Sequence, residues 1–375
     1  MNTDNPQKEK LVIAYDAKRL FTNFTGLGNY SRTLLRNLQE YYPYCEFHLF
    51  TPSIIENEET HYFLNNQKFK VHIPAGSRLM WRTLGMSREV NTLKPDIFHG
   101  LSHEIPFGLQ SSISTVVTFH DLIYERYPKQ FGWWDRNMYQ LKYRSAAKRA
   151  HHILAISKST QNDLIDLYGI PEDKISVVYQ SCRSEFMQLP CMPVDYTKGY
   201  WLYVGSAIPR KGLLQLVMAY GMIPPNTRRP LVIVGSGPVD YVQQVRDMIT
   251  YYGITEQIRW IERLDNQSLC SIYDGCYALI YPSIYEGFGI PIIESLSRRR
   301  PVITSTLSAL PEAAGPGAIY IDPFSPKEIA SALLELENKS LYERLAREGQ
   351  GYVLTQFDGK QTANRMMEVY RKILS

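Results

Sequence analysis

Two glutamates, Glu286 and Glu294, sit eight residues apart in the segment YPSIYEGFGIPIIESLSRRRPVI (281–303). An apolar run ends at Pro282-Ser283, a loop of Glu286, Gly287, Phe288 and Gly289 follows, and a helix opens with Pro291 near its first position, where proline is favoured. The unpaired N–H groups and partial positive charge of a helix start suit a phosphate. Carboxylates before and one turn inside such a start could each take a pair of hydroxyls, one on a sugar and one on a ribose. Two glutamates at this spacing are commonplace alone; the flanking GFG and helix start make them informative. A second segment, VGSAIPRKG (204–212), carries adjacent Arg210 and Lys211 past the end of a strand. They could neutralise a diphosphate leaving group, or be solvated surface cations.

Two further segments carry candidate chemistry. In FTNFTGLGNYSRTLLRNL (21–38), Gly26-Leu27-Gly28 precedes a helix, so its backbone N–H groups could face a phosphate or a sugar. As a dinucleotide fingerprint it is poor, reading GxGxxS and lying well beyond its strand; a plain loop feeding a helix is the other reading. In TFHDL (118–122), His120 ends a strand. It could shuttle a proton or donate to a substrate hydroxyl, or be a structural histidine held by a carbonyl. His99 and His103 have neither an HExxH pattern nor nearby cysteines, and no DxD pair occurs. No metal site is therefore expected.

The elements that must position these residues alternate. Short β-rich runs (LVIAYDAKR, CEFHLFT, FKVHI, PDIFHG, STVVTFHD, HHILAIS, KISVVYQ) are interleaved with helical stretches at 30–42, 133–150 and 159–168. The rhythm pauses in SEFMQLPCMPVDYTKG (184–199), read as an interdomain linker. It restarts with GYWLYVGS and runs through RPLVIVGSG, IRWIER, YALIYPS, PVITST and AIYID to two C-terminal helices. Such βαβ repetition predicts an α/β chain with two doubly wound, mostly parallel sheets, each with helices on both faces. Two halves of similar size would face a cleft, with ligands at the carboxyl ends of the strands.

Composition narrows the class. At 44% hydrophobic and 21% charged, the 375 residues are globular, and their number suggests two domains. A net charge of +4 without a dense basic block gives no reason to expect nucleic acid. No apolar run reaches the length of a membrane span, and MNTDNPQKEK has no apolar signal region. The five cysteines form no CxxC pair, consistent with reduced thiols and a cytoplasmic location. WWDRNMYQLKYRSAAKR (133–149) is preferentially a solvated amphipathic helix; the alternative rests it on an anionic membrane.

Taken in order, these signals resemble the retaining glycosyltransferases of family 4, which have the GT-B fold, and most of all their mannosyltransferase B-like subgroup of bacterial surface-polysaccharide enzymes. YDAKRL, TGLGNYSRTLL, VVTFHDLIYERYP, LAISKSTQNDL, LYVGSAIPRKGL, LVIVGSG, YPSIYEGFGIPIIES and SALPEAAG carry the likeness over nearly the whole chain. The resemblance implies an N-terminal acceptor-side domain at 1–190, a nucleotide-sugar domain at 191–355, and a terminal helix at 356–375 crossing back to the first domain. It implies that Arg210 and Lys211 bind the donor diphosphate and that Glu294 holds the ribose. Glu286 would hold the transferred sugar, beside Gly287 and the backbone of Phe288, Gly289 and Ile290. The base would lie near Arg263 and Leu264, and Gly28 and His120 would approach from the first domain, His120 near the reactive carbon. Two departures stand out: SRRRPV puts Arg300 where a glycine usually ends the helix, and QSC (180–182) replaces a usual NGV turn.

The expected activity is metal-independent, cofactor-free transfer of a hexose from a nucleotide diphosphate sugar to a glycan or lipid-linked acceptor, with mannose from GDP-mannose the preferred pair. Peripheral contact with the cytoplasmic membrane face stays open. The alternatives are a nucleotide-sugar epimerase of the same shape and a non-catalytic sugar-binding scaffold.

Overall fold

The apolar runs of the first half become β1 (Val12–Asp16), β2 (Glu46–Phe50), β3 (Phe69–His72), β4 (Ile97–Gly100), β5 (Ser114–Phe119), β6 (His152–Ala155) and β7 (Ile175–Val177). Those of the second half become β8 (Tyr200–Val204), β9 (Leu231–Val234), β10 (Ile258–Ile261), β11 (Cys276–Tyr281), β12 (Val302–Ser305) and β13 (Ala318–Ile321). The computed structural model describes residues 10–74, 81–187 and 199–375. Its contacts divide the chain into two units, one of 1–181 with 358–375 and one of 182–357. The linker expected at 184–199 lies largely outside the described residues; Ser184–Met187 forms a short helix of the second unit.

In the first unit the strands run parallel in the order β3-β2-β1-β4-β5-β6-β7. Ile13 pairs with Phe47 on one side and Ile97 on the other. Covered on both faces, the central strands bury nearly every side chain, so their sequences read as apolar runs. The core joins Ala14, Phe98, Val117 and Ile153 to Tyr143, Ala146 and Ala147 of the helix Trp133–Arg149. A buried ion cluster sits at the carboxyl end of β1. Arg82 bonds Asp16 Oδ2 and Glu104 Oε1, each at 2.7 Å.

In the second unit the order is β10-β9-β8-β11-β12-β13, again parallel. All six residues of β11 are buried. The chain order therefore reverses direction between β8 and β11, which makes a topological switch point there, as between β1 and β4 in the first unit.

After β13 the chain forms three helices, Pro326–Glu335, Lys339–Gln356 and Gly359–Leu374, where two were expected. Side-chain caps divide the run: Asn338 accepts from the Leu341 N–H at 3.1 Å and Asp358 from the Gln361 N–H at 3.3 Å. The last helix belongs to the first unit and packs on the helix Gly26–Tyr41. Its buried Tyr370 hydroxyl lies 2.7 Å from His99 Nδ1 and 3.3 Å from the Tyr15 hydroxyl.

The SRRR departure has a local explanation. The helix Ile290–Ser297 is closed by Arg298, and Arg299 takes a left-handed φ of +59° without being glycine. Arg298 Nε donates to Asp274 Oδ1 at 2.6 Å, and Arg300 donates to the Asp274 carbonyl. These bonds offset a backbone strain of about 1–2 kcal/mol.

Candidate active site

The loops after β8 and β11 flank the switch point of the second unit, so the two strongest sequence signals meet there. The approach is close. Gly212 has φ +69°, and a Cβ at that position would lie 2.2 Å from the Pro282 carbonyl oxygen. The Ile284 N–H donates to the Arg210 carbonyl at 2.9 Å, tying the loops backbone to backbone.

Three donors converge on one carboxylate oxygen. Arg210 Nη1 lies 2.9 Å, Lys211 Nζ 3.0 Å and Ser283 Oγ 2.8 Å from Glu286 Oε1. Arg210 Nη1 also donates to the Tyr285 carbonyl, and Lys211 Nζ donates to the Tyr281 hydroxyl at 2.6 Å. The three charged side chains keep only 12%, 14% and 14% of their exposure, so solvent screens them weakly. Burial alone would raise the Glu286 carboxyl, but the charges of Lys211 and Arg210 outweigh it and hold the group below its ordinary value. The result is an ionised carboxylate matched to two cations, at the end of a sheet where anionic ligands bind.

Next to this cluster, Gly287, Phe288 and Gly289 lead into the helix Ile290–Ser297, with Ile290 first and Pro291 second. No side chain caps that helix. Phe288 is buried edge-on against Phe357, with ring centroids 5.2 Å apart, and anchors the loop. Glu294, one turn inside, is buried, and its Oε2 accepts from the Tyr273 hydroxyl at 2.9 Å. Burial raises its carboxyl to about 7, against a lowering by Arg183 and by the Tyr273 bond.

The remaining predicted residues fall elsewhere. Arg263, exposed, and Leu264, half-buried, follow β10, two strands from β8. Gly28 and His120 belong to the first unit. Gly28 is not a phosphate donor in this geometry, because its N–H is taken by Asn23 Oδ1 at 3.0 Å. It is glycine for packing: a Cβ there would lie 1.7 Å from the Asn23 carbonyl oxygen. His120 is buried, and its Nε2 donates to the Leu101 carbonyl at 2.9 Å. Burial lowers it to about 4, so it is neutral at physiological pH and not a ready acid. With Nε2 carrying the proton, its Nδ1 lone pair can receive a hydroxyl proton but does not donate one in this tautomer. His103 Nε2 accepts the His120 backbone N–H at 3.0 Å, and the His103 ring stacks on Tyr143.

Sequence reasoning missed the residues that hold Glu286. Ser283 was visible in the motif but has no chemical signature of its own. Ser308 lies beyond β12 and accepts the Glu286 N–H at 2.9 Å. It does so from a left-handed φ of +52°. A strained non-glycine at such a place points to positional work. We expect Ser308→Gly to leave stability within about 1 kcal/mol, since relief of strain offsets one lost hydrogen bond. The same change is expected to lower kcat about tenfold by loosening Glu286. Denaturant unfolding and steady-state kinetics check both parts; equal losses in stability and activity would mean that Ser308 only supports the fold.

Two family models match the chain. Residues 24–182 match Glycosyltransferase Family 4, and residues 193–352 match Glycosyl transferases group 1. The O-antigen chain mannosyltransferase B of Escherichia coli is 28% identical over 337 residues, covering 83% of this chain and 86% of its own length. Sucrose-phosphate synthase from Thermosynechococcus elongatus has a TM-score of 0.76 at 18% identity, covering 97% of this chain and 99% of that one. Anabaena HepE in complex with UDP has a TM-score of 0.73 at 16% identity, covering 97% and 100%. The two structural likenesses concern the fold.

Proposed function

The chain is a glycosyltransferase of the GT-B type, built from a family 4 half and a group 1 half and related to O-antigen mannosyltransferases, and on that premise we propose that it moves a hexose from a nucleoside diphosphate sugar to a hydroxyl of a growing cell-surface glycan. The observation that carries this reading is the convergence of Arg210, Lys211 and Ser283 on Glu286 at the switch point, beside an uncapped helix start. Mannose from GDP-mannose is the preferred donor, on the strength of the relationship. The acceptor is a glycan, free or lipid-linked, and a lipid-linked one places the enzyme peripherally at the cytoplasmic membrane face.

Arg210 and Lys211 take the diphosphate, and Glu286 takes hydroxyls of the transferred hexose. Glu294 takes the ribose diol. The bond between the anomeric carbon and the phosphate oxygen breaks, and the acceptor oxygen bonds that carbon from the same face. The acceptor proton passes to the leaving phosphate. The two cations and the helix start offset the charge that develops there, so we assign no metal to the reaction. A thermal-shift series with GDP, UDP, ADP and their sugar conjugates in EDTA tests the reading. Ligand at a hundred times its Kd adds about 2.7 kcal/mol, and one nucleotide is expected to stand out. No shift with any of them would overturn the donor site.

Glu294 adds a pH dependence. A carboxylate accepts two diol protons, whereas a carboxylic acid must give up its own proton first. With the group raised to about 7 in the folded chain, donor affinity is expected to rise about tenfold per pH unit between pH 5 and 7 and level off above. For the ligand-free fold the sign is opposite. The native state holds this proton more tightly than the unfolded chain, whose carboxyl has the ordinary value of 4.5. Its contribution to stability is therefore full at low pH and lost as pH rises through about 7. Calorimetric titration across pH, with Glu294→Gln expected to flatten the profile, checks this; a flat wild-type profile refutes it.

A further inference from the structure

The helix Trp133–Arg149 is apolar on two faces. Tyr139, Tyr143, Ala146 and Ala147 face the core of the first unit. On the opposite side Trp134, Met138 and Leu141, at helical spacing, are 77%, 47% and 75% exposed, and neighbouring Trp133 is 66% exposed. Leaving that much apolar surface in water is unfavourable, and indole rings in particular suit a membrane–water boundary. The charge around the stripe is one-sided. Within the helix Arg136, Lys142, Arg144, Lys148 and Arg149 face a single acid, Asp135. Arg144 is paired with Glu125, and Lys142 lies 4.0 Å from Glu104. Arg149 donates instead to the carbonyls of Ile105 and Pro106 and stacks over the exposed Phe107; Arg136, its Nε buried, lies on the core side; and no carboxylate pairs with Lys129 or Lys148 among the described residues.

We propose that this face, with Trp133, Trp134 and Leu141 inserted and the exposed Lys129 and Lys148 near them, docks the first unit on an anionic lipid surface. A cation near such a surface strengthens binding about fivefold, and the effect is screened by salt. A protein partner would explain the apolar stripe but not the surplus of unpaired cations around it. The docking face names the surface behind the peripheral placement proposed above. Vesicle binding is read without donor or acceptor, so its failure leaves the transfer reading standing.

The test is co-sedimentation of the full chain with vesicles of phosphatidylglycerol and phosphatidylethanolamine, and with phosphatidylcholine alone, at low and high salt. Anionic vesicles are expected to bind at least about tenfold more tightly than neutral ones, with weakening at high salt and a blue shift of tryptophan emission. The double variant Trp133→Ser, Trp134→Ser is expected to lose at least about tenfold of that binding, with its thermal midpoint and its transfer to a soluble acceptor unchanged. Lys148→Gln, which alters only a surface charge, is expected to weaken binding about fivefold. Absence of vesicle binding, equal binding to neutral vesicles, or a double variant that binds like the wild type would overturn the proposal. So would a double variant that changes only the oligomeric state, since the face would then join two copies.

Discussion

Lys211→Ala is expected to lower kcat by about a hundred- to a thousand-fold while the second unit stays folded. The reasoning begins with what Lys211 does before substrate arrives. Its ammonium is shared between Glu286 Oε1 at 3.0 Å and the Tyr281 hydroxyl at 2.6 Å, in a site that solvent screens poorly. Removing it leaves Glu286 bonded to Arg210 and Ser283, so no buried charge is orphaned and the loss of stability is modest. In the proposed reaction the leaving diphosphate has no such substitute. It gains charge as the glycosidic bond breaks, and a fixed cation there acts on the transition state more than on the ground state. The loss should therefore fall on kcat more than on KM. Lys211→Arg should recover only part of the activity, because a planar guanidinium cannot occupy the position of a compact ammonium. Steady-state kinetics with thermal unfolding decide the point; near-normal turnover in Lys211→Ala would remove the residue from the mechanism.

Legibility followed the range of the interaction. The strands were legible because parallel sheets bury both faces, and an apolar run such as CYALIY has few other uses. Arg210, Lys211, Glu286 and Glu294 could be picked out because their signals are local: a cation pair just past a strand, and two glutamates flanking GFG and a helix start. The meeting of Arg210 and Lys211 at the Glu286 carboxylate was not legible, because it depends on the strand order that sets β8 beside β11. The helix breaks at Asn338 and Asp358 were short-range but weak signals inside a long helical period. Gly28 has a packing reason of its own. A glycine that admits a ligand and one that admits its own backbone look alike in sequence, and here the Asn23 carbonyl fills the space. His120 illustrates the same limit, since the carbonyl that fixes its tautomer comes from Leu101, nineteen residues away.

Glu286→Gln should separate two roles that a simple loss of activity would merge. In the ligand-free site this carboxylate is ionised and already bonded to both cations proposed to take the diphosphate. A bare nucleoside diphosphate must displace or share those bonds against the repulsion of a negative charge beside it. Two like charges 5 Å apart at an effective dielectric of about 20 repel by roughly 3 kcal/mol before screening. Glutamine keeps the shape and removes the charge, so GDP or UDP is expected to bind about ten- to a hundred-fold more tightly to the variant. The intact donor should gain less, because its hexose hydroxyls lose charge-assisted bonds of about 1.5–3 kcal/mol. Transfer itself should fall by at least about a hundred-fold, since those bonds hold the anomeric carbon in place. The ligand-free variant should also melt lower, with two cations left without their carboxylate, and recover on adding nucleoside diphosphate. Calorimetry with the nucleoside diphosphate and with its sugar conjugate distinguishes the outcomes. Weaker binding of both would mean that Glu286 merely braces the loop, whereas tighter binding of the diphosphate with lost transfer shows a carboxylate that keeps the cations occupied until a complete donor can replace it.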